Sequence, residues 1–225
     1  MARSDSVCKG ITGLNISLQD IDNLTHLETP VNRMTQKMLG VMMVMFCQHA
    51  ASMDITVTGT TVYMSGTVVG GECDKLKQII NTSKIELVVL SNSNGGNANT
   101  GYCIGETIRK NNISTSIDGF CLSSCSRMWL GGVNRKLEGD DSTVGLHGNY
   151  KGVHLIEEST ARLRAWIPRF APDVDVELMN RWTALFYNKE MMYFYNKRAA
   201  LCRNGRNECS NIKDKNVFNA GLATK

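Results

Sequence analysis

The segment GFCLSSCSRMWLGG at residues 119–132 has the pattern of a turn followed by a short helix that ends at Gly131 and Gly132. The segment ISTSI at 113–117 precedes it and is predicted to be a strand that ends at Asp118 and Gly119. After it, VGLHGN at 144–149 predicts a strand that ends in a histidine. A strand, a turn with a short helix and a second strand therefore follow one another.

The same order appears upstream. The polar turn SNSNGGNANTG at 91–101 separates an apolar run at 85–90 from a helical pattern at about 100–111. A helix is predicted at 71–84, and a hairpin around Gly59. Strands alternating with helices predict an α/β domain with mostly parallel strands, in which the glycine-marked turns lie near one another at the carboxyl ends of the strands.

The C-terminal third differs in pattern. Residues 157–200 predict a helical region broken at Pro168 and Pro172. CRNGRNEC then predicts a small hairpin with Asn204 and Gly205 at its tip. A disulfide between the cysteines that flank this turn, Cys202 and Cys209, is the favoured pairing, with free thiols as the alternative.

Composition indicates an ordinary globular domain. The 225 residues are 42% hydrophobic and 20% charged, and the net charge of +4 comes from scattered basic residues, which argues against nucleic acid as a partner. The eight cysteines fall partly in close pairs, which favours an oxidising compartment.

A targeting segment is predicted inside the chain. Arg33 and Lys37 precede the apolar run LGVMMVMFC, and small residues follow it at 50–52. The run is too short for a stable membrane span, and a buried core helix is the alternative. We expect residues 1–33 to be an upstream extension or a long n-region, 34–52 a signal peptide, and 53–225 the α/β domain. The mature protein would then be periplasmic or secreted.

Few residues are available for acid–base chemistry. After residue 52 the chain has two histidines, and His147 is better placed than His154 because it ends a predicted strand. Ser123 and Ser124 lie at a strand-to-helix junction, where a serine is either a nucleophile or a helix N-cap. Cys121 and Cys125 lack the further ligands that a structural zinc site needs.

Taken together, SNSNGG, GFCLSSCSRMWLGG and VGLHGN resemble the proteolytic subunit of the Clp protease, and more closely its secreted, periplasmic relatives with a Cys-x-Ser-x-Cys motif. The resemblance implies a crotonase-like ββα spiral. It matches Gly119 to the motif glycine, Ser123 to the nucleophile and His147 to the general base. The oxyanion would be bound by main-chain N–H groups, one from Gly95 or Gly96 and one from Ser124.

The sequence also departs from the protease pattern. Asn94 stands where a proline commonly precedes the two glycines, and Ser124 replaces the usual methionine. The acidic member of a triad stays open between Glu190, Glu208 and none. Cys121 and Cys125 could pair with each other, could bridge to Cys73 or Cys103, or could be buried thiols.

These observations lead to one expected function and two alternatives. We expect a secreted or periplasmic serine hydrolase, a peptidase acting on peptides or proteins, with no metal or organic cofactor. One alternative is a noncatalytic Clp-like binding or scaffold protein, and another is a crotonase-fold enzyme acting on acyl thioesters. The family forms rings, so a homo-oligomer is compatible with the resemblance, although no feature of this sequence requires one.

Overall fold

The structure, a computed structural model, describes residues 52–224. The predicted upstream segment at 1–33 lies outside the described residues, as does the predicted signal peptide at 34–52 except for Ser52. Ser52 forms a parallel bridge with Thr67, and the side chain of Met53 is buried. Among the described helices, none has the length and hydropathy needed to cross a bilayer.

The described residues form one large mixed sheet with helices packed on it. The sheet has nine strands in the order β1-β2-β3-β4-β6-β9-β10-β11, with β5 also paired to β4. A separate two-stranded sheet contains β7 and β8. The strands are β1 (Asp54–Thr58), β2 (Thr61–Val68), β3 (Leu87–Gly96), β4 (Ser114–Leu122), β5 (Arg135–Leu137), β6 (Thr143–Leu146), β7 (Tyr150–Lys151), β8 (His154–Leu155), β9 (Met191–Phe194), β10 (Ala199–Arg203) and β11 (Glu208–Ile212). The helices are α1 (Glu72–Thr82), α2 (Ala98–Lys110), α3 (Ser124–Leu130), α4 (Glu157–Phe170) and α5 (Val176–Thr183).

The two halves of the sheet have different strand directions. Strands β2, β3, β4 and β6 pair in parallel, and α1 and α2 connect the first three of them. From β6 through β9 and β10 to β11 every pairing is antiparallel, as is the β1–β2 hairpin around Gly59. The predicted α/β class is confirmed. The expectation of mostly parallel strands holds only for the centre. Short connections produce the hairpins β1–β2, β9–β10 and β10–β11, whereas β6 and β9 pair antiparallel across a long connection that contains α4 and α5.

Several elements differ in length from their prediction. Strand β3 continues through the predicted turn to Gly96, and β4 continues past Asp118 to Leu122. The predicted helical region at 157–200 is two helices followed by strands. Pro168 lies inside α4 and does not end it, because the helix buries an apolar face on both sides of the proline, including Trp166 and Phe170.

Helix α3 is held closely between the sheet and α2. A Cβ atom added at Gly101 of α2 would overlap the carbonyl of Ser124, and one at Gly105 would overlap the carbonyl of Arg127. The side chain of Trp129 in α3 is completely buried. Glycine thus lets the two helix backbones approach each other closely.

Candidate active site

Ser123 occupies a sharp turn between β4 and α3. Its backbone has φ 55° and ψ −121°, a conformation that costs free energy in any residue with a side chain. The Ser123 N–H donates to the Gly145 carbonyl at 3.0 Å, and the Ser123 carbonyl accepts from the N–H and the hydroxyl of Ser126 at 3.0 and 2.6 Å. A strained strand-to-helix turn of this kind is how α/β-hydrolases expose a nucleophilic serine.

The two glycines at the end of β3 pack against this turn. A Cβ atom at Gly95, whose φ is 82°, would lie 2.5 Å from the Leu122 carbonyl oxygen and 2.7 Å from the Ser124 nitrogen. The Gly95 N–H itself donates to Ser93 Oγ at 3.2 Å, whereas Gly96 lines the adjacent cavity. Of the two amides named from the sequence, that of Gly95 is already bonded, so Gly96 is the better candidate to contact a ligand.

His147 follows β6 and reaches the same cavity as Ser123. Leu122 pairs with Gly145 in the parallel ladder, which brings the residues after β6 beside the residues after β4. The His147 imidazole stacks on the ring of Tyr150, with centroids 5.0 Å apart. Burial, and to a smaller extent the positive charge of Arg127, lowers the pKa of His147 to about 3. The imidazole is therefore neutral at neutral pH and can accept a proton only weakly.

Neither candidate acid contacts His147. Glu190 lies 3.5 Å from the Nε of Arg203, and exposed Glu208 is opposite Arg203 in the β10–β11 ladder. Glu190 is close enough to Tyr150 to act together with burial, the larger cause, in raising the pKa of that phenol to about 12. The buried Nδ1 atom of His147 has no hydrogen-bond partner among the described residues. The described part of the chain thus contains a serine and a histidine at one cavity without an orienting carboxylate.

The cavity has a volume of about 720 Å³ and lies at the carboxyl ends of the central strands. Its lining includes Ser123, Gly96 and His147. A cavity of this size is in the range of small-molecule and short-peptide sites. None of the described lining residues is an aspartate or a glutamate.

Among the lining residues that were not identified from the sequence, Arg127 and Asn149 are bonded to each other. Arg127 is 2% exposed, and its Nη2 donates a hydrogen bond to the Oδ1 of Asn149. Asn149 in turn donates through Nδ2 to the carbonyl oxygen of Ser159 at 2.7 Å and to its hydroxyl at 2.9 Å. The sequence contained one indication of Arg127, because it is the one charged residue in the helix SCSRMWL, whose other residues are small or apolar.

Ser124 contributes to the site through its backbone. Its side chain is completely buried, and its hydroxyl has no hydrogen-bond partner among the described residues. Its amide nitrogen would lie 2.7 Å from a Cβ atom added at Gly95, so the Ser124 amide packs against the glycine pair that the sequence resemblance puts at the oxyanion site. The hydroxyl of Ser124 is thus enclosed in protein, and of these two adjacent serines only Ser123 lines the cavity.

Three disulfides join the paired cysteines. Cys121 and Cys125 bridge across the turn that contains Ser123, which is the local pairing among the alternatives that the sequence left open. Cys73 pairs with Cys103 and links α1 to α2. Cys202 pairs with Cys209, directly opposite in the β10–β11 ladder. Within residues 52–224, no group of three or more His, Cys, Asp or Glu side chains is placed to hold a metal ion.

Comparison with models of protein families and with curated protein sequences finds no match. Several solved structures are similar to the chain. A variant of the membrane-bound stomatin-specific protease 1510-N has 14% identity over 57% of this chain and 72% of that chain, with a TM-score of 0.43. A variant of ClpP1 from Listeria monocytogenes has 19% identity over 54% of this chain and 77% of that chain, with a TM-score of 0.42.

A protein from Streptomyces coelicolor A3(2), assigned as an enoyl-CoA hydratase, has 10% identity over 62% of each chain and a TM-score of 0.40. Identities and TM-scores this low assign neither a family nor an activity to this chain, and one fold can serve different chemistries. The described residues form an α/β fold with one large mixed sheet.

Proposed function

We propose that this chain is a serine hydrolase, a peptidase, in which Ser123 is the nucleophile and His147 the general base. The observation that carries the proposal is the backbone of Ser123, held at φ 55° on a strand-to-helix turn beside the cavity that His147 also lines. A helix N-cap does not need this conformation, since N-cap residues ordinarily have extended backbone angles, and the Ser123 side chain forms no capping hydrogen bond.

The proposed reaction is acyl transfer through Ser123. His147 accepts the Ser123 hydroxyl proton as the oxygen attacks the substrate carbonyl, and the negative charge on the carbonyl oxygen is bound by the amides of Gly96 and Ser124. His147 then protonates the leaving amine. Water, deprotonated in turn by His147, releases the acyl group and restores the Ser123 hydroxyl. No metal or organic cofactor takes part in this sequence of steps.

Covalent labelling tests the proposal. Oxidised protein treated with a fluorophosphonate probe is expected to carry the label on Ser123, as located by peptide mapping. Ser123→Ala and His147→Ala are expected to lose it. The matched controls are Ser83→Ala and His154→Ala, which remove an exposed serine and an exposed histidine elsewhere. An unlabelled, folded, disulfide-intact wild-type protein would contradict the proposal.

A second candidate is a noncatalytic binding protein that uses the same cavity. The observation that favours it is the state of His147, whose Nδ1 has no partner among the described residues and whose pKa is lowered to about 3. A base of this kind stabilises its protonated form poorly. Retained peptide binding without labelling at Ser123 would support this candidate.

We also propose that the protein acts outside the cytoplasm as a processed chain starting at Met53. Three disulfides within residues 52–224 are typical of an oxidising compartment. Mass spectrometry of protein recovered from its native cells is expected to find an N-terminus at Met53, and an intact Met1 would contradict the proposal.

Peptides or proteins are the proposed substrates. Light scattering of the purified protein would measure its mass in solution and so show whether it forms a homo-oligomer.

A further inference from the structure

Arg127 is a buried cation with no anionic partner among the described residues. Its side chain is 2% exposed, and its hydrogen-bond partners are the amide oxygen of Asn149 and the phenol of Tyr102, neither of which is a carboxylate. The Nε atom is buried and has no partner in the described part of the chain. Burial is also the main cause that lowers the pKa of Arg127. A guanidinium in such a place is costly unless a negative charge approaches it.

The surroundings of Arg127 do not supply that charge. The guanidinium lies 5.1 Å from the centre of the Tyr102 ring, and a second guanidinium, that of Arg162, lies 4.6 Å from the same ring. Asn149, which accepts from Arg127, is an amide and not a carboxylate, and the described lining of the cavity contains no aspartate or glutamate. Arg127 is therefore the one permanently charged side chain in the described lining of the cavity beside Ser123 and His147.

We propose that Arg127 binds a carboxylate of the ligand, so that the cavity selects acidic peptides. This inference rests on the proposed function, because it names the substrate class of the Ser123–His147 site. The carboxylate belongs either to an acidic side chain next to the scissile bond or to the C-terminus of the peptide. A guanidinium is suited to both, because it can donate two parallel hydrogen bonds to the two carboxylate oxygens.

A bound carboxylate would also change His147. The positive charge of Arg127 is one of the two causes that keep the pKa of His147 low. A negative charge placed on Arg127 offsets that cause, and the pKa of His147 rises on binding. An acidic ligand would thereby make His147 a stronger base when it occupies the cavity, while a neutral ligand would not.

Binding to the catalytically inert Ser123→Ala full-length protein tests the inference. The probes are two pairs of N-acetylated tripeptides, studied by isothermal titration calorimetry. One pair is amide-capped and ends in glutamate or glutamine, and the other ends in alanine as a free acid or an amide. In at least one pair, the peptide with the carboxylate is expected to bind roughly ten- to a hundredfold more tightly than the matched neutral peptide. The pair that shows this preference identifies the side chain or the C-terminus as the source of the carboxylate.

Two variants made on the Ser123→Ala background assign the preference to Arg127. Arg127→Gln removes the charge and is expected to bind both members of each pair equally, whereas Arg127→Lys keeps a charge and is expected to keep part of the preference. Equal binding of both members of each pair by the parent protein, including no binding by either, would overturn the inference. A full preference in folded Arg127→Gln would also overturn it.

A measurement without substitution at Arg127 covers the case in which those variants do not fold. The His147 pKa, followed by NMR in Ser123→Ala, is expected to rise when the preferred acidic peptide is added and to stay unchanged with the matched neutral peptide. An unchanged pKa with both would overturn the inference. Failure of the proposed function can be distinguished from failure of this inference. If only the proposed function fails, the wild-type protein is not labelled by the fluorophosphonate probe, while the preference for carboxylate peptides is intact.

Discussion

Two turns of this molecule are each closed by a disulfide and each contain a non-glycine residue with positive φ, yet they are built differently. The turn at Ser123 lies between Cys121 and Cys125, and the loop at Asn204 lies between Cys202 and Cys209. Ser123 has φ 55° and Asn204 has φ 49°. The first turn packs closely against Gly95 at the end of β3, whereas residues 203–210 of the second turn are exposed.

The difference shows which turn depends on its surroundings. Asparagine followed by glycine adopts positive φ at little cost, so the Asn204–Gly205 loop follows from its residue types. Serine has no such preference. Ser123 is held by the Gly145 carbonyl, by Ser126 and by the close approach of Gly95. A local sequence therefore specifies the loop, while tertiary contacts maintain the turn at the candidate active site.

The largest effect is expected from Gly95→Ala. The new methyl group would lie 2.5 Å from the Leu122 carbonyl oxygen and 2.9 Å from the Ser123 Cβ, at a residue with φ 82°. Overlap with backbone adds to the cost of positive φ, so the free energy of unfolding should fall by about 3 kcal/mol or more. Urea denaturation measures the loss. A change below about 1 kcal/mol would show that the turn is not tightly enclosed.

Removing each disulfide separates stability from function. Cys121→Ala/Cys125→Ala and Cys202→Ala/Cys209→Ala open loops with sequence separations of 4 and 7 residues. Loop-closure entropy predicts a similar loss of about 2 kcal/mol for both. Only the first pair should also reduce fluorophosphonate labelling, because it frees the backbone of Ser123. Equal labelling of both double variants would contradict the contrast between the two turns.

For each pH unit, the pH dependence of stability gives a smaller effect at the same site. The pKa of His147 is about 3 in the folded chain against 6.5 for an ordinary histidine. Between these values the unfolded chain binds a proton that the folded chain does not, so stability falls as the pH falls from 6.5 towards 3. The contribution is at most about 1.4 kcal/mol for each pH unit.

His147→Gln should therefore flatten the stability profile of the wild-type protein across this window. His154→Gln is the control, because His154 is exposed on β8. Urea denaturation at several pH values measures both variants. Identical pH slopes in the wild-type protein and His147→Gln would contradict the buried, neutral state of His147.

The smallest effect is expected from Gly205→Ala. Its φ is 73°, but an added Cβ atom meets nothing within 4 Å, so only the backbone preference is lost. We expect a loss of about 1 kcal/mol and normal labelling at Ser123. Urea denaturation and labelling of the same sample check both. A loss as large as that of Gly95→Ala would mean that the exposed loop has the same packing demands as the buried turn.

Much of the central fold could be predicted from the sequence. Glycine turns between apolar runs and helical patterns indicated the alternation that gives β3, α2, β4 and α3, and the position of His147 after a strand was also readable. The lengths of β3 and β4 could not be predicted, because both strands contain polar residues that are typical of turns, such as Asn92 and Asp118. Strand β3 continues through a register shift near Asn92, and β4 continues through Gly119, which has positive φ. Pro168 was expected to end a helix, but the helix continues to Phe170, whose side chain is buried.

At the site, the sequence could name residues but not their surroundings. Ser123, Ser124 and Gly96 were identifiable from their positions next to turns. The Gly95 N–H donates to Ser93 within a tight local turn, which depends on backbone angles that residue types alone do not specify. The ion pair between Glu190 and Arg203 depends on a contact between two different segments of the chain. Arg127 was missed because a charged residue in a short helix is ordinarily expected at the surface.

The sequence by itself determined the local preferences: where strands, helices and glycine turns occur, and that an Asn-Gly pair closes the last hairpin. These depend on residue type and periodicity, which act over a few neighbouring residues. Only the tertiary structure decided that Ser123 is held at positive φ, that His147 is buried and neutral, and that Arg127 has no carboxylate beside it in the described cavity. Those properties arise from packing and the loss of water, and each requires contacts between segments far apart in the chain.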